Sequence, residues 1–222
     1  MTKIFAILPI KQNSQRLSNK NFNLFNKKPL YMWMVNKLLS IDLLDKIIIN
    51  TDSSTVQNNL KEYNNKIIIN KRPYKLRDTH TSMNKIIEYD INLSEADIYF
   101  QTHVTNPLIK EKSIYDALNF FKRQKKYDSI FSVTSRNTML WNKKSKPINH
   151  NPHKLISSQK LEVYYEENSN FYIFSKKSFL KNKSRIGNKP FMYELSKIES
   201  FDINDIYEFK VAEQFHKLNL KI

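Results

Sequence analysis

The sequence predicts an α/β fold in which a mostly parallel sheet is covered by helices on both faces. Short apolar runs alternate with segments of helical period along most of the chain. The runs are continuous and rich in isoleucine, which is typical of strands buried on both faces. The chain of 222 residues is long enough to bury a sizeable core, and we treat residues 1–222 as a single domain.

The first strand is predicted at residues 4–10, where the apolar run IFAILPI is broken only by Pro9. A helix follows from Pro29, because the fixed φ of proline suits a first helical position. The similar runs DKIIINTD (45–52) and NKIIINKR (65–72) are predicted to be parallel strands joined by a helix. The remaining elements are helices over 83–93, 112–125, 178–183 and 206–218, and strands over 98–102, 129–134, 171–174 and 191–195.

Residues 136–165 interrupt this alternation. The segment is polar, contains two prolines and has no clean period. A structureless stretch of this length inside a compact domain usually has a function or forms an arm. Trp141, Tyr164 and Tyr165 argue against disorder, which is the alternative. An arm that reaches a second subunit is one explanation of the segment.

The composition excludes several classes of function. There is no cysteine, which rules out disulfides, thiolate metal sites and a cysteine nucleophile. No apolar run approaches the roughly 18 residues of a membrane span, so we expect a cytoplasmic protein. The net charge of +16 would suit a nucleic-acid binder, but lysine and arginine are scattered along the whole chain. We therefore expect no nucleic-acid partner, and the same field would attract a small polyanionic substrate.

The loop after the first strand is rich in groups that bind phosphate. Ligands of open α/β sheets bind beyond the carboxyl ends of strands, and cations and amides gathered there would stabilise a triphosphate. A solvated basic loop is the alternative interpretation of the same composition. The side chains in question are Lys11, Ser14, Arg16, Lys20 and Asn21.

Six segments then follow one another over nearly the whole chain. They are Pro9–Asn21, Asn50–Asp52, Arg72-Pro73 with Leu76, Asp78-Thr79 and Ser82, QTHVTNPL (101–108), Glu167–Ser169 with Tyr172, and Phe201–Asn204. Together they resemble the motifs of the acylneuraminate cytidylyltransferase family, which activates acidic 3-deoxy sugars of the sialic-acid type. Each motif alone is weak, but six in the family's order are specific.

The resemblance implies a Rossmann-like nucleotidyltransferase fold and a homodimer with residues 136–165 as its dimerisation arm. It implies that CMP passes from CTP to the anomeric hydroxyl of an acidic 3-deoxy-2-keto sugar, with release of pyrophosphate and with Mg²⁺ as cofactor. The implied catalytic residues are Lys20 and Asp202, and Asp202 and Asn204 would hold the metal. The implied nucleotide-binding residues are Lys11, Ser14, Arg16, Asn21, Arg72 and Ser82, and the sugar would face Gln101 or His103, Asn168 and Tyr172.

Four positions depart from the family's pattern. Lys11 replaces an arginine, which keeps the charge and loses the bidentate fork. Gln12 and Asn13 replace the glycines of the family's loop, and asparagine is the residue that best replaces a glycine in a left-handed backbone conformation. Asn204 replaces the second aspartate of the acidic motif, so one negative charge is lost.

Some acidic residues have plainer explanations. Asp52 stands between a strand and a helix, where a helix N-cap is the expected role. Asp205 and Glu208 have capping-box spacing at the last helix. For Asp202 the alternative to metal binding is a solvated loop acid.

Two other functions stay open at this point. One is a nucleotidyltransferase of the same fold that uses another sugar or another nucleotide. The other is a non-catalytic relative that binds nucleotide or nucleic acid, which Asn204, the missing loop glycines and the net charge would suit. The acidic sugar is also open among nine-carbon sialic-type acids, bacterial diamino analogues and eight-carbon acids.

Overall fold

The computed structural model describes residues 2–13, 17–63, 65–154 and 156–218. In these ranges the strands are β1 Ile4–Ile10, β2 Leu24–Phe25, β3 Lys28–Pro29, β4 Lys46–Thr51, β5 Ile67–Lys71, β6 Ile98–Thr102, β7 Ser129–Arg136, β8 Tyr164–Ser175 and β9 Pro190–Glu194. The helices are α1 Leu30–Ser40, α2 Ser54–Asn59, α3 Met83–Asn92, α4 Glu111–Arg123, α5 Lys176–Asn182 and α6 Ile206–Lys217. No helix among the described residues is long and apolar enough to cross a bilayer.

The main sheet of the described chain has the strand order β5-β4-β1-β6-β8-β7-β9. Neighbouring strands run parallel except at β8, which is antiparallel to both β6 and β7. The mostly parallel sheet that the sequence predicts is therefore confirmed. The chain places β4 and β5 on one side of β1 and β6 on the other side. This reversal is the switch point at which α/β sheets bind their ligands.

Helices cover both faces of the sheet, because alternate side chains of β1 enter two different cores. Ile4, Ala6 and Leu8 pack with the buried faces of α1, α2, α4 and α6. Phe5 and Ile7 pack on the opposite face with α3 and α5. A strand that is covered on both faces has no polar side to present, which explains the continuous apolar runs.

The strand β8 is longer than the apolar run over 171–174 suggests, because an irregularity lies inside it. Phe131 of β7 pairs with Tyr172, whereas Val133 pairs with Glu167. The residues from 168 to 171 thus bulge opposite a single residue of β7, with Ser169 in the left-handed region at a φ of 56°. The ends of the predicted arm are consequently paired strands, and the described residues between them, 137–154 and 156–163, include the short 3₁₀ helix Ser158–Lys160.

One capping prediction is wrong and another is confirmed. Ser53, not Asp52, is the N-cap of α2, and its Oγ accepts from the backbone N–H of Val56 at 3.3 Å. Asp52 instead accepts from the N–H of Gln12 at 2.8 Å and so anchors the loop after β1. Asp205 caps α6 by accepting from the N–H of Glu208 at 2.8 Å, as predicted.

Candidate active site

A cavity of about 230 Å³ lies at the carboxyl ends of the parallel strands. β1, β5 and β6 each lead directly into a residue that lines it, because parallel strands end at the same edge of the sheet. The lining residues are Pro9, Lys11, Asn21, Arg72, Asp78, Thr79, Thr81, Met83, Ile86, His103, Val104 and Thr105.

The loop after β1 contributes Lys11 and Asn21 to the cavity. The Asn21 side chain donates from Nδ2 to the carbonyl oxygen of Lys11 at 2.8 Å, which ties the two ends of the loop together. The left-handed residue of the described loop is Asn19, with a φ of 53°, and not Asn13 as predicted. Asn19 precedes the short 3₁₀ helix Lys20–Phe22, so this turn positions Lys20. Ser14 and Arg16 lie outside the described residues.

Arg72 is buried and held by a chain of hydrogen bonds beneath the cavity. Its Nε donates to Oδ1 of Asn50 at 2.6 Å, and its Nη2 donates to the Asn50 carbonyl at 3.0 Å. The amides of Asn50 and Asn70 both donate to Oδ1 of Asp90, at 2.7 and 2.8 Å. Burial lowers the pKa of Arg72 from its ordinary value, while Asp52 and Asp90 act in the opposite direction.

Asp90 is the buried acid of this network. Burial raises the pKa of Asp90 to about 6, although the two amide donors and the Arg72 charge lower it. Its second oxygen, Oδ2, has no hydrogen-bond partner within the described structure. A protonated Asp90 would remain an acceptor at Oδ1 and would carry no charge into the core.

Lys20 contacts the main chain of the acidic motif, beside Asp202, at a corner next to the cavity. Lys20 is buried, and its Nζ donates to the carbonyl oxygen of Ile203 at 2.6 Å. The N–H of Ile203 donates to the carbonyl of Thr105, a cavity-lining residue, at 2.9 Å. Asp202 accepts a long hydrogen bond from Asn106 Nδ2, at 3.4 Å. The first loop, the loop after β6 and the acidic motif therefore converge.

The resemblance implies that Asp202 and Asn204 at this corner would hold a metal ion. Among the described residues no group of three or more His, Asp or Glu side chains is arranged to hold a metal ion. A single carboxylate, Asp202, with the neighbouring Asn204 provides too few oxygen ligands for a fully protein-bound ion. Mg²⁺ commonly binds through one or two carboxylates together with substrate phosphates and water. The residues therefore fit a magnesium ion that shares its ligands with a nucleotide.

His103 reaches the cavity, and Gln101 lies behind it. Gln101 is fully buried, and its Nε2 lies 3.1 Å from Nε2 of His103. Desolvation, together with the positive charges of Arg185 and Lys20, lowers the pKa of His103 to about 3. The imidazole is thus neutral at physiological pH. Of the two residues that the sequence left open, His103 is the one that lines the cavity.

Tyr172 belongs to a polar cluster on the far side of Gln101. The guanidinium carbon of Arg185 lies 3.6 Å from the centre of the Tyr172 ring, and its Nη1 donates to Oε1 of Gln101 at 2.7 Å. The Tyr172 hydroxyl hydrogen-bonds to Glu167 and, at 3.0 Å, to Oγ of Ser169. Burial and the Glu167 carboxylate raise the pKa of Tyr172 to about 12, against the effect of Arg185.

Asn168 and Ser82 are predicted site residues that do not line the cavity. The Asn168 oxygen accepts from Ser132 Oγ at 2.6 Å, and its nitrogen donates to Thr134 Oγ1 at 2.9 Å, so its amide braces the bulge. Ser82 is exposed at the N-cap of α3, between two residues that line the cavity.

The sequence did not point to Asp90 or to Arg185. Asp90 lies inside an otherwise ordinary amphipathic helix, and nothing in its spacing shows that two asparagines face it. Arg185 lies in the loop between α5 and β9, outside every recognised motif. Gly187, the single glycine of the chain, lies two residues after Arg185. It is the feature of the sequence that could have drawn attention to this loop.

A model of the cytidylyltransferase family matches residues 5–221. The chain belongs to the cytidylyltransferase family. This confirms the family that the six sequence motifs indicated. The family match runs through the three loops after β1, β5 and β6 that line the cavity and through the corner of Lys20 and Asp202.

Individual relatives of this cytidylyltransferase family member are distant but extend over almost all of it. N-acylneuraminate cytidylyltransferase A of Danio rerio is 26% identical over 219 residues, which are 95% of this chain and 50% of that protein. The N-acylneuraminate cytidylyltransferase of Escherichia coli O18:K1:H7 is 26% identical over 95% of this chain and 51% of that protein. CMP-N,N'-diacetyllegionaminic acid synthase of Legionella pneumophila is 25% identical over 98% of this chain and 97% of that protein. The chain thus spans about half the length of the first two relatives.

Solved structures share the fold of this family member. CMP:2-keto-3-deoxy-manno-octonic acid synthetase complexed with CTP has a TM-score of 0.71 at 13% identity and covers 99% of this chain and 100% of that chain. A 4-diphosphocytidyl-2C-methyl-D-erythritol synthase from Anaerococcus prevotii has a TM-score of 0.69 at 10% identity and covers 97% and 99%. These likenesses confirm the Rossmann-like nucleotidyltransferase fold.

Proposed function

We propose that the chain transfers CMP from CTP to the anomeric hydroxyl of an acidic 3-deoxy-2-keto sugar and releases pyrophosphate. The observation that carries the proposal is the convergence of the first loop, the loop after β6 and the acidic motif on one corner. Lys20 hydrogen-bonds to the main chain beside Asp202, and Thr105 connects that corner to the cavity. Family membership and relatives named for acidic-sugar activation support the same reaction.

The cavity side chains suit the nucleotide. Lys11 and Arg72 supply positive charge at the carboxyl ends of β1 and β5, and Asn21 supplies an amide. Ser82 remains a proposed contact of cytosine or ribose, and Ser14 and Arg16 remain proposed contacts of the triphosphate. Most of the rate would come from positioning the substrates and neutralising phosphate charge, as in other phosphoryl-group transfers.

The reaction needs no covalent intermediate on the protein. The sugar hydroxyl oxygen attacks the α-phosphorus and forms the new P–O bond, while the bond from the α-phosphorus to the bridging oxygen breaks. Pyrophosphate leaves with the bond electrons, and the hydroxyl proton passes to solvent. Lys20 is the proposed residue that stabilises the negative charge at the α-phosphate, because its ammonium is already held in a water-poor corner.

Magnesium is the proposed cofactor. Asp202 and Asn204 would hold it together with the triphosphate, and the ion would neutralise phosphate charge when bound. Pyrophosphate release that survives removal of divalent cations by EDTA would exclude this part of the proposal.

The deciding experiment supplies purified protein with a matrix of donors and acceptors and measures pyrophosphate release. The donors are CTP, UTP and ATP, and the acceptors are eight- and nine-carbon 3-deoxy-2-keto acids with a neutral hexose as control. We expect release only for CTP with an acidic acceptor, and mass spectrometry should find the CMP-sugar. Release with UTP or ATP would favour a different nucleotidyltransferase. Nucleotide binding without release under every condition would indicate a non-catalytic relative.

We also propose a homodimer in the cytoplasm. The segment 137–163 exposes large apolar side chains, including Met139, Trp141 and Ile148, at 40, 51 and 54% of their surface. Burial of such side chains against a second copy would be favourable, and the family resemblance assigns this segment to the dimer contact. Light scattering should give twice the chain mass of 26.6 kDa, and Trp141→Ser with Ile148→Ser should weaken the dimer. A monomeric wild type at micromolar concentration would overturn this proposal.

A further inference from the structure

The cluster behind the cavity determines how the Gln101 amide is oriented. Arginine only donates hydrogen bonds, so the amide atom that faces Nη1 of Arg185 at 2.7 Å must be the oxygen. The Gln101 NH₂ group then faces the carbonyl oxygen of Thr102, at 2.9 Å, and the Nε2 atom of His103, at 3.1 Å. The opposite orientation would place two donors against each other at Arg185.

The orientation of Gln101 in turn determines the tautomer of His103. An amide NH₂ group cannot accept a hydrogen bond, so Nε2 of His103 must be the acceptor. An imidazole whose Nε2 accepts is neutral and carries its proton on Nδ1. No described residue hydrogen-bonds to Nδ1 of His103, and the ring lines the cavity. The Nδ1–H group is therefore available to an oxygen atom of a ligand.

Arg185 is itself held in place by groups that leave its charge unpaired. None of the ion pairs among the described residues includes Arg185. Its guanidinium lies over the Tyr172 ring, and the Glu167 carboxylate also acts on its charge. The loop that carries it is tied to the sheet, because the N–H groups of Asn188 and Lys189 both donate to the Asp128 carboxylate.

We propose that Arg185 is a positioning residue that acts through Gln101 to hold His103 as a neutral Nδ1–H donor toward an oxygen of the acceptor substrate. The tautomer follows from this cluster alone, whereas the acceptor's role rests on the proposed function. The charged groups that face His103 favour the same state. Arg185 and Lys20 face the imidazole most directly, and the same cavity also presents Lys11, Arg72 and Asp78.

The test observes the imidazole nitrogens of His103 by long-range ¹H–¹⁵N NMR on labelled full-length protein between pH 5 and 8. The chain has five histidines, and the signals that disappear in His103→Asn assign this ring. We expect a protonated Nδ1 and an unprotonated Nε2 throughout this range. A wild-type protein that shows the Nε2–H tautomer, or a His103 that titrates near pH 6, overturns the proposal without any variant.

Variants of Arg185 and Gln101 test whether Arg185 determines the tautomer of His103 through Gln101. In Arg185→Met the Gln101 oxygen is free to turn toward His103, so the Nε2–H form should appear and the His103 pKa should rise by about one unit or more. Arg185→Lys, which also only donates, should retain the Nδ1–H form. Gln101→Glu should convert His103 to the Nε2–H form or to imidazolium. Lys183→Met, an exposed change two residues away, is the matched control and should leave the spectrum unchanged. An unaltered His103 in both Arg185→Met and Gln101→Glu overturns the proposal.

Kinetics separate this inference from the proposed function. In Arg185→Met the KM for the acidic acceptor should rise roughly tenfold, about the loss of one hydrogen bond, while the KM for CTP stays within about twofold. If the wild type transfers no CMP, the proposed function fails, and the NMR result still decides the tautomer. If KM for CTP rises instead of KM for the acceptor, the assignment of the Nδ1–H donor to the acceptor is overturned.

Discussion

Two arginines near the cavity, the buried Arg72 and the half-buried Arg185, are held in opposite ways. Arg72, on the parallel side of the sheet, lies in a network that includes the carboxyl of Asp90 and two asparagines. Arg185, beside the antiparallel strand β8, meets a neutral amide and an aromatic ring. The first environment compensates the charge and fixes the side chain within the fold. The second leaves the charge available, which is the arrangement expected where an anionic substrate must be recognised.

The largest effect should come from Lys20, the buried lysine of the corner next to the cavity. Lys20→Ala should lower kcat/KM for CMP transfer by about 10²–10³, because a preorganised charge near the α-phosphate is lost. The fold should persist, as judged by circular dichroism. Lys181→Ala, on the exposed side of α5, is the control and should keep full activity. Turnover retained in Lys20→Ala would remove Lys20 from the mechanism.

Substitution of the two arginines should separate their roles in stability. Arg72→Met should lower the free energy of unfolding by about 3–5 kcal/mol, because buried partners lose their charge-assisted hydrogen bonds. Arg185→Met should cost only about 1 kcal/mol, since one hydrogen bond and a ring contact are lost. Urea unfolding at pH 7 measures both values. Equal losses would contradict the contrast drawn between the two environments.

The pH dependence of stability should reveal Asp90. Its pKa of about 6 in the folded chain exceeds the value of 3.8 expected when unfolded, so the folded state holds a proton that the unfolded state has released. The free energy of unfolding should therefore fall as pH rises from about 4 to 6, by about 3 kcal/mol, and then level off.

Asp90→Asn tests this assignment, because an amide keeps an acceptor oxygen for the two asparagines and cannot ionise. The variant should flatten the fall in stability between pH 4 and 7 in urea titrations. Asp116→Asn, at an exposed ion pair on α4, is the control and should give a profile parallel to the wild type. If the dependence of stability on pH in Asp90→Asn also runs parallel to that of the wild type, the titrating group is not Asp90.

The loop that carries Arg185 depends on Gly187. A Cβ at this position would lie 2.3 Å from Oδ1 of Asp128, and the hydrogen bonds to Asn188 and Lys189 prevent that carboxylate from moving away. Gly187→Ala should cost about 1–3 kcal/mol and raise the KM for the acceptor more than that for CTP. Adding Asp128→Ala should remove the steric part of this loss, and a double variant as unstable as the sum of both changes would argue against the clash.

The fold could be predicted from the sequence because apolar runs and helical periodicity directly reflect which residues are buried. The family resemblance grouped Lys11, Asn21 and Arg72 as nucleotide contacts, and all three line the cavity. The sequence pattern misplaced the N-cap of α2, because Asp52 and Ser53 both suit a cap and only the tertiary position of Gln12 decides between them. It also predicted too short a strand for β8, because a bulge interrupts the pairing within this strand.

The parts of the site that escaped prediction depend on contacts between distant segments. Arg185 contacts Gln101 across 84 positions of sequence, and Asn50 contacts Asp90 across 40. Neither pair has a spacing that a helix or strand would repeat. The choice between Gln101 and His103 also required the structure. The two residues are only two positions apart at the end of β6, yet Gln101 is enclosed whereas His103 lines the cavity.

The corner of the acidic motif is built by peptide groups rather than by the acids themselves. Ile203 uses both its N–H and its carbonyl oxygen as anchors, toward Thr105 and Lys20. The side chains on either side of Ile203 can therefore be substituted without loss of these backbone hydrogen bonds. Asn204→Asp should therefore add a carboxylate beside Asp202 while these two backbone anchors of Ile203 stay in place.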